Sequence, residues 1–144
     1  MPSYGECQTA EIAASPQACF DALTDFESLP QWQGAVRDVR VLERDAEGRG
    51  SIVEYEVLAL FKTVRYRLRQ LYDEPRRVAS SYLGGDFRDF CGEWRFEPAG
   101  DARTHAELDL RIDPGRFVPR PLRAAIADAV MRRALRDLKA HVER

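Results

Sequence analysis

The chain has 144 residues, 32% of them charged, and a formal net charge of -2. This length fits one domain that buries its own core, so stability requires no disulfide. The nearly balanced charge excludes a strong overall attraction to DNA. No apolar stretch approaches the roughly 20 residues that span a bilayer, and the first residues lack the pattern of a secretory signal. We therefore expect one cytoplasmic domain over residues 1–144.

The chain has few soft metal ligands, namely three cysteines and two histidines. Cys7, Cys19 and Cys91 are far apart, and neither His105 nor His141 completes a paired zinc-ligand spacing with them. We therefore expect free thiols in a reducing compartment, and neither a metal nor a cofactor.

The first third of the chain is predicted to hold a strand and two short helices. The strand covers Glu6 to Ala14. Ser15 then suits a helix N-cap, where its hydroxyl accepts from a free N–H, and Pro16 suits the first helical position, where no donor is needed. Pro30 disfavours helical geometry at the residue before it, so the chain must break or change direction there.

Apolar side chains recur with a period of two from Val36 to Ile112, which is typical of half-buried strands. In the clearest run, three apolar residues alternate with three arginines: Val64, Tyr66 and Leu68 against Arg65, Arg67 and Arg69. Short turn sequences separate the runs, and such short connections require antiparallel neighbours. We therefore predict an antiparallel sheet of six or seven strands with one face in solvent.

A long amphipathic helix is predicted from Leu122 to Val142, after two prolines. Its apolar stripe consists of Leu122, Ile126, Val130, Leu135, Leu138 and Val142. One helix against one face of a sheet is the two-layer packing of an α+β domain. We predict that this helix crosses the concave face of a curved sheet.

Residues 15–32, SPQACFDALTDFESLPQW, resemble the N-terminal segment of the START-like polyketide cyclase/dehydrase and lipid-transport proteins, the SRPBCC superfamily. The resemblance rests on Asp25, Pro30 and Trp32, on the strand sequence GEWRF at 92–96, and on the order of elements. It implies the helix-grip fold, in which a curved antiparallel sheet of six or seven strands wraps around a long C-terminal helix. Two short helices follow the first strand of that fold. The resemblance also implies an internal pocket for a small hydrophobic ligand.

Large side chains on the inward phase of the strands, together with the helix stripe, predict what lines this pocket. The candidate ligand-binding residues on these elements are Tyr55, Tyr66, Tyr82, Phe90, Trp94, Ile126 and Val130. Trp32 is a further candidate, at the pocket mouth, because it follows the chain break at Pro30. We expect a cavity of at least ~300 Å³, the lower end of the range for ligand sites. The alternative is that the aromatic rings fill a close-packed core and that Trp32 is a structural plug.

Two functions follow from the resemblance. The first is binding or transport of a lipid-, isoprenoid- or polyketide-like ligand. The second is a polyketide aromatase/cyclase, in which Tyr55 and Tyr66 would place hydroxyl donors near substrate carbonyls. No nucleophile with a base, no pair of inward carboxylates and no inward arginine on a strand is found. We therefore assign no catalytic residue.

A third hypothesis concerns the basic end of the chain. From Arg116 to Arg144 there are eight basic and three acidic residues. A weak contact with anionic membranes, or with ribosomal or other RNA, would use Arg132, Arg133, Arg136 and Lys139. The alternative is that these cations only complement the C-terminal end of the helix dipole. Neither the ligand nor the oligomeric state follows from the sequence.

Overall fold

The computed structural model describes residues 7–59, 62–115 and 118–144, which form one sheet, one long helix and two short helices. The elements are β1 (Cys7–Ile12), α1 (Pro16–Thr24), α2 (Leu29–Trp32), β2 (Val36–Arg44), β3 (Gly50–Ala59), β4 (Lys62–Asp73), β5 (Arg77–Gly85), β6 (Asp89–Pro98), β7 (Thr104–Asp113) and α3 (Arg123–Val142). Single 3₁₀ turns precede α2 and α3, at Phe26–Ser28 and Arg120–Leu122. None of the helices within the described ranges is long and apolar enough to cross a membrane.

The seven strands pair antiparallel in the order β1-β7-β6-β5-β4-β3-β2. From β2 to β7 each strand pairs with the next along the chain, and β1 closes the series by pairing with β7. The alternation in β4 sets the faces: Val64, Tyr66 and Leu68 are buried, while the arginines between them are exposed. The predicted antiparallel sheet is therefore confirmed, and so is the helix-grip arrangement around the C-terminal helix.

The segment between β1 and β2 follows the predicted capping chemistry. The Ser15 hydroxyl accepts a hydrogen bond from the Ala18 backbone N–H at 3.1 Å, and Pro16 is the first residue of α1. Pro30 lies in the first turn of α2, so the predicted change of direction is made by starting a new helix. The first strand is shorter than predicted and ends at Ile12, while Glu6 lies outside the described residues.

Helix α3 begins at Arg123, one residue after the predicted start, and its buried face differs from the predicted stripe. The buried residues are Ala127, Met131, Leu135 and Leu138. Leu122 is 46% exposed, so the predicted packing of the start of the stripe was wrong; Val130, which was expected to face the ligand, is 38% exposed. The reason is rotational: the row that continues from Leu135 toward the helix start runs through Met131 and Ala127, at spacings of four.

The C-terminal half of α3 is tied to the start of the chain by polar contacts as well as by packing. Lys139 Nζ donates to the Glu11 carbonyl at 2.6 Å, and the Ala13 N–H donates to Glu143 Oε2 at 2.8 Å. Lys139 also pairs with Glu143 at 2.6 Å. These contacts hold the helix end against β1 and leave its first half over the rest of the sheet.

Candidate functional site

A cavity of about 340 Å³ lies between the inner face of the sheet and the first half of α3. The strands β3 to β7 contribute the largest share of its wall, and α3 contributes residues from Arg123 to Ala134. The volume falls in the range of roughly 300–1,000 Å³ that is usual for small-molecule sites. The wall is predominantly apolar, so the space suits a hydrophobic molecule.

Six of the eight candidate residues line this cavity: Tyr55, Tyr66, Phe90, Trp94, Ile126 and Val130. Trp32 is not among the lining residues, and it stacks instead on His141 with ring centroids 4.5 Å apart and planes 2° apart. Tyr82 is also outside the lining, and its hydroxyl donates to the Phe87 carbonyl at 2.6 Å. Trp32 thus packs α2 against the end of α3, and Tyr82 holds the turn that leads to β6.

A row of aromatic rings forms one wall of the cavity. Tyr55 on β3 and Tyr66 on β4 are register partners, and their stacked rings have centroids 5.4 Å apart. Tyr66 also stacks on Phe90 at 5.3 Å and contacts Phe87 at 5.1 Å. Phe26 meets the ring of Tyr55 edge-on at 6.4 Å. Such rings combine a large apolar surface with defined geometry, so this wall has a definite shape.

A hydrogen-bond chain crosses three neighbouring strands behind this wall. Ser80 Oγ donates to Gln70 Oε1 at 2.5 Å, and Gln70 Nε2 donates to the Tyr55 hydroxyl oxygen at 2.9 Å. Gln70 is only 4% exposed, and all three residues line the cavity. Because the Tyr55 oxygen accepts from Gln70, its own proton is free for an acceptor inside the cavity.

The second phenol is less constrained. Among the described residues, the Tyr66 hydroxyl has no hydrogen-bond partner. Burial raises the pKa of Tyr55 and of Tyr66 above the ordinary value, because the phenolate would lose its solvation. Both phenols are therefore neutral at physiological pH, and each can donate to a ligand oxygen.

Sequence reasoning missed Gln70 and Ser80, although their positions carried the signal. Gln70 continues the inward alternation of Val64, Tyr66 and Leu68, and a polar residue in that phase must be buried or paired. Ser80 shares a face of β5 with Val78 and Tyr82, two residues away on either side, so it too is a polar residue in the inward phase.

Two arginines from α3, Arg123 and Arg133, also line the cavity and were not predicted. The sequence argument considered only strand arginines, and no strand arginine lines it. Within the described part of the chain, no aspartate, glutamate, histidine or cysteine lines the cavity. The site therefore offers hydrogen-bond donors and positive charge, and its described lining holds no carboxylate, imidazole or thiol to act as a base.

Several solved structures have the same fold as this chain. A START superfamily protein from Mycobacterium smegmatis is 24% identical with a TM-score of 0.90, and the match covers 97% of each chain. The Zhui aromatase/cyclase from Streptomyces sp. R1128 is 18% identical with a TM-score of 0.86, covering 99% of this chain and 95% of that one. A protein from Thermus thermophilus is 22% identical with a TM-score of 0.78, covering 98% and 97%. At these identities the likeness establishes the fold.

No curated protein matches the sequence. The sequence profile of the family described as polyketide cyclase / dehydrase and lipid transport matches residues 12–139. The match begins at the last residue of β1 and covers both short helices, the strands β2 to β7 and most of α3. The segment that carries the resemblance, residues 15–32, lies inside this match. The chain therefore belongs to the polyketide cyclase / dehydrase and lipid transport family.

Proposed function

We propose that the protein binds a small hydrophobic ligand, of lipid, isoprenoid or polyketide type, in the cavity under α3. The observation that carries the proposal is the cavity itself, about 340 Å³ of space with a largely apolar lining. Six residues chosen for their inward phase border it, among them Tyr55, Phe90 and Ile126.

The energetics support an occupant. Protein interiors pack at a density of about 0.74, and voids much larger than a water molecule are few. Side chains that border a void lose their dispersion contacts on that side. An apolar ligand that enters the cavity would restore these contacts. Its transfer out of water would also contribute a favourable free energy of roughly 25 cal/mol for each Å² of apolar surface buried.

A second candidate, the aromatase/cyclase, is supported by the chain from Ser80 through Gln70 to Tyr55. In that chain the Tyr55 oxygen accepts from Gln70, which leaves its own proton available to donate to a substrate carbonyl. Two neutral phenols near a carbonyl would stabilise negative charge on its oxygen as an enolate forms. Since no basic side chain of the general-base type lines the cavity within the described residues, the substrate or a water would have to supply the base.

The hypothesis of an RNA, ribosome or membrane contact through the basic helix stays a prediction. Three of the cations concerned pair with carboxylates four residues away: Arg132 with Asp128 at 2.9 Å, Arg133 with Asp137 at 3.8 Å, and Lys139 with Glu143 at 2.6 Å. These pairs reduce the positive charge available to a partner.

The test of ligand binding is native mass spectrometry of the purified protein, followed by titration with a fluorescent apolar probe. We expect either a co-purifying small molecule or saturable probe binding with one site per chain. The absence of both a co-purifying molecule and saturable probe binding would overturn the proposal. Incubation with a reactive poly-β-ketone chain distinguishes the second candidate, because only a cyclase would change the ring pattern of the products relative to the spontaneous reaction.

A further inference from the structure

Arg123 lies at the edge of an apolar cavity and has no acidic partner in the described part of the chain. It is partly buried, it is the first residue of α3, and it lines the cavity. No carboxylate of the described residues pairs with its guanidinium. Burying an ionised group without a counter-charge is unfavourable, even when its hydrogen bonds are satisfied in part. The guanidinium is only partly buried and is still able to pair with an anion.

The guanidinium is held in a fixed orientation by backbone oxygens. Arg123 Nε donates to the Val118 carbonyl at 3.0 Å, and Nη2 donates to the Gly115 carbonyl at 2.9 Å. A guanidinium has five N–H donors, so three remain after these two bonds. Carbonyl groups orient the cation without neutralising it, and a pre-oriented guanidinium loses little freedom when it binds an oxyanion.

Arg133 provides an internal comparison, because it also lines the cavity but has an acidic partner. Its side chain is 51% exposed, and its Nε lies 3.8 Å from Asp137 Oδ2. Its guanidinium lies against the backbone of Gly34, so closely that a side chain at position 34 would clash with it. The two arginines are ten residues apart, which is about 15 Å along a helix at 1.5 Å per residue. They are therefore separate sites, and Arg133 has a counter-charge whereas Arg123 has none within residues 7–59, 62–115 and 118–144.

We propose that the ligand is an amphiphile whose anionic group, a carboxylate or a phosphate, binds Arg123 while its apolar part fills the cavity. This inference rests on the proposed binding function. The apolar part extends from Arg123 over Ile126 and Val130 toward the aromatic wall of Tyr55 and Tyr66, all of which border the same space. A purely neutral lipid would leave the Arg123 charge unpaired and is bound less tightly.

The test compares three probes with the same twelve-carbon chain, namely dodecanoate, dodecyl phosphate and dodecanol. Each displaces a fluorescent apolar probe from the protein at pH 8, where the acids are ionised. We expect wild type to bind at least one anionic probe roughly tenfold or more tighter than dodecanol, as is usual for hydrogen bonds to charged groups. The anion with the larger advantage identifies the head group as carboxylate or phosphate.

Three variants assign the preference to one arginine. Arg123→Gln is expected to lose the preference for the anionic probe and to keep its affinity for dodecanol. Arg132→Gln is the matched control, because Arg132 lies on the same helix and does not line the cavity, and it is expected to keep both. Arg133→Gln tests whether the other arginine of the cavity wall carries the preference instead. If Arg123→Gln fails to fold, Arg123→Lys replaces it, and we then expect a reduced preference because an ammonium cannot form the bidentate contact.

Three outcomes would overturn the inference. Equal binding of dodecanol and both anions by wild type removes it and leaves the proposed binding function intact. Loss of the preference in Arg133→Gln, rather than in the Arg123 variants, would also remove the inference and leave the binding function intact. So would a loss of affinity in Arg123→Gln that is equal for all three probes. Failure of wild type to bind any of the three would instead remove the proposed function together with the inference.

Discussion

The two halves of α3 differ in composition and in surroundings: residues 123–130 are rich in alanine with two charged residues, whereas residues 131–142 hold five charged residues. In the second half, Met131 and Leu138 are fully buried, and Lys139 and Glu143 tie the helix end to β1 and the loop after it. In the first half, Ile126 is only partly buried and Val130 is 38% exposed, and both border the cavity. The second half of α3, residues 131–142, is thus an anchor that packs in the core, and the first half, residues 123–130, covers the cavity. The half with the higher apolar fraction is the less packed one, so packing partners rather than apolar content decide which half is buried.

The largest expected effect is on the anchor. Leu138→Ala should lower the free energy of unfolding by ~2–5 kcal/mol, because truncation of a packed leucine leaves a cavity. Ile126→Ala should lower it by less, since a residue beside a void has fewer contacts to lose. Urea denaturation of the two variants measures the difference. Equal losses would show that the helix is packed uniformly along its length.

The next effect concerns the polar chain behind the cavity wall. Tyr55→Phe leaves the buried Gln70 Nε2 without its acceptor, which should lower the free energy of unfolding by about 1–3 kcal/mol. Tyr66→Phe removes a hydroxyl that has no partner among the described residues, so the same measurement should change little. A larger loss for the Tyr66 variant would contradict the assigned hydrogen bonds.

Enlarging a cavity residue should affect binding more than stability. Ile126→Trp adds volume toward open space, so the fold should tolerate it, whereas a packed core would lose ~1–3 kcal/mol. The same variant should abolish binding of a fluorescent apolar probe. Leu71→Trp is the matched control, because Leu71 is 61% exposed and does not line the cavity, and its probe binding should equal that of wild type. Normal probe binding by Ile126→Trp, or its unfolding, would mean that Ile126 does not cover the ligand.

The smallest effect is a pH dependence of the anchor. Hydrogen bonding from the Ala13 N–H, followed by the Lys139 contact, lowers the pKa of Glu143 below its ordinary value. A carboxyl group with a lowered pKa in the folded state contributes stability above its unfolded pKa, and this contribution is lost as the pH falls through the folded pKa. The stability difference between wild type and Glu143→Gln should therefore be largest near neutral pH and should shrink under acidic conditions. A difference that does not change with pH would show that the Glu143 charge has no role in the anchor.

The sequence determined the elements because their signals are local. Ser15 and Pro16 start α1 through contacts within one turn, and the alternation of β4 places Tyr66 inward wherever the strand lies. The same alternation on β3 places Tyr55 beside it once the two strands pair in register. Four of the six candidate residues that border the cavity, Tyr55, Tyr66, Phe90 and Trp94, lie on strands and were found for this reason.

Only the tertiary structure decided what else faces the cavity. The first half of α3, RAAIADAV, is so rich in alanine that several rotations of the helix would bury a comparable apolar surface. Packing of Met131, Leu135 and Leu138 against the rest of the core selects one rotation, and that rotation turns Arg123 and Ile126 toward the cavity. Trp32 likewise packs on His141, more than one hundred residues away in the chain. A helix period of 3.6 fixes which residues share a face, but the direction of that face depends on contacts distant in sequence.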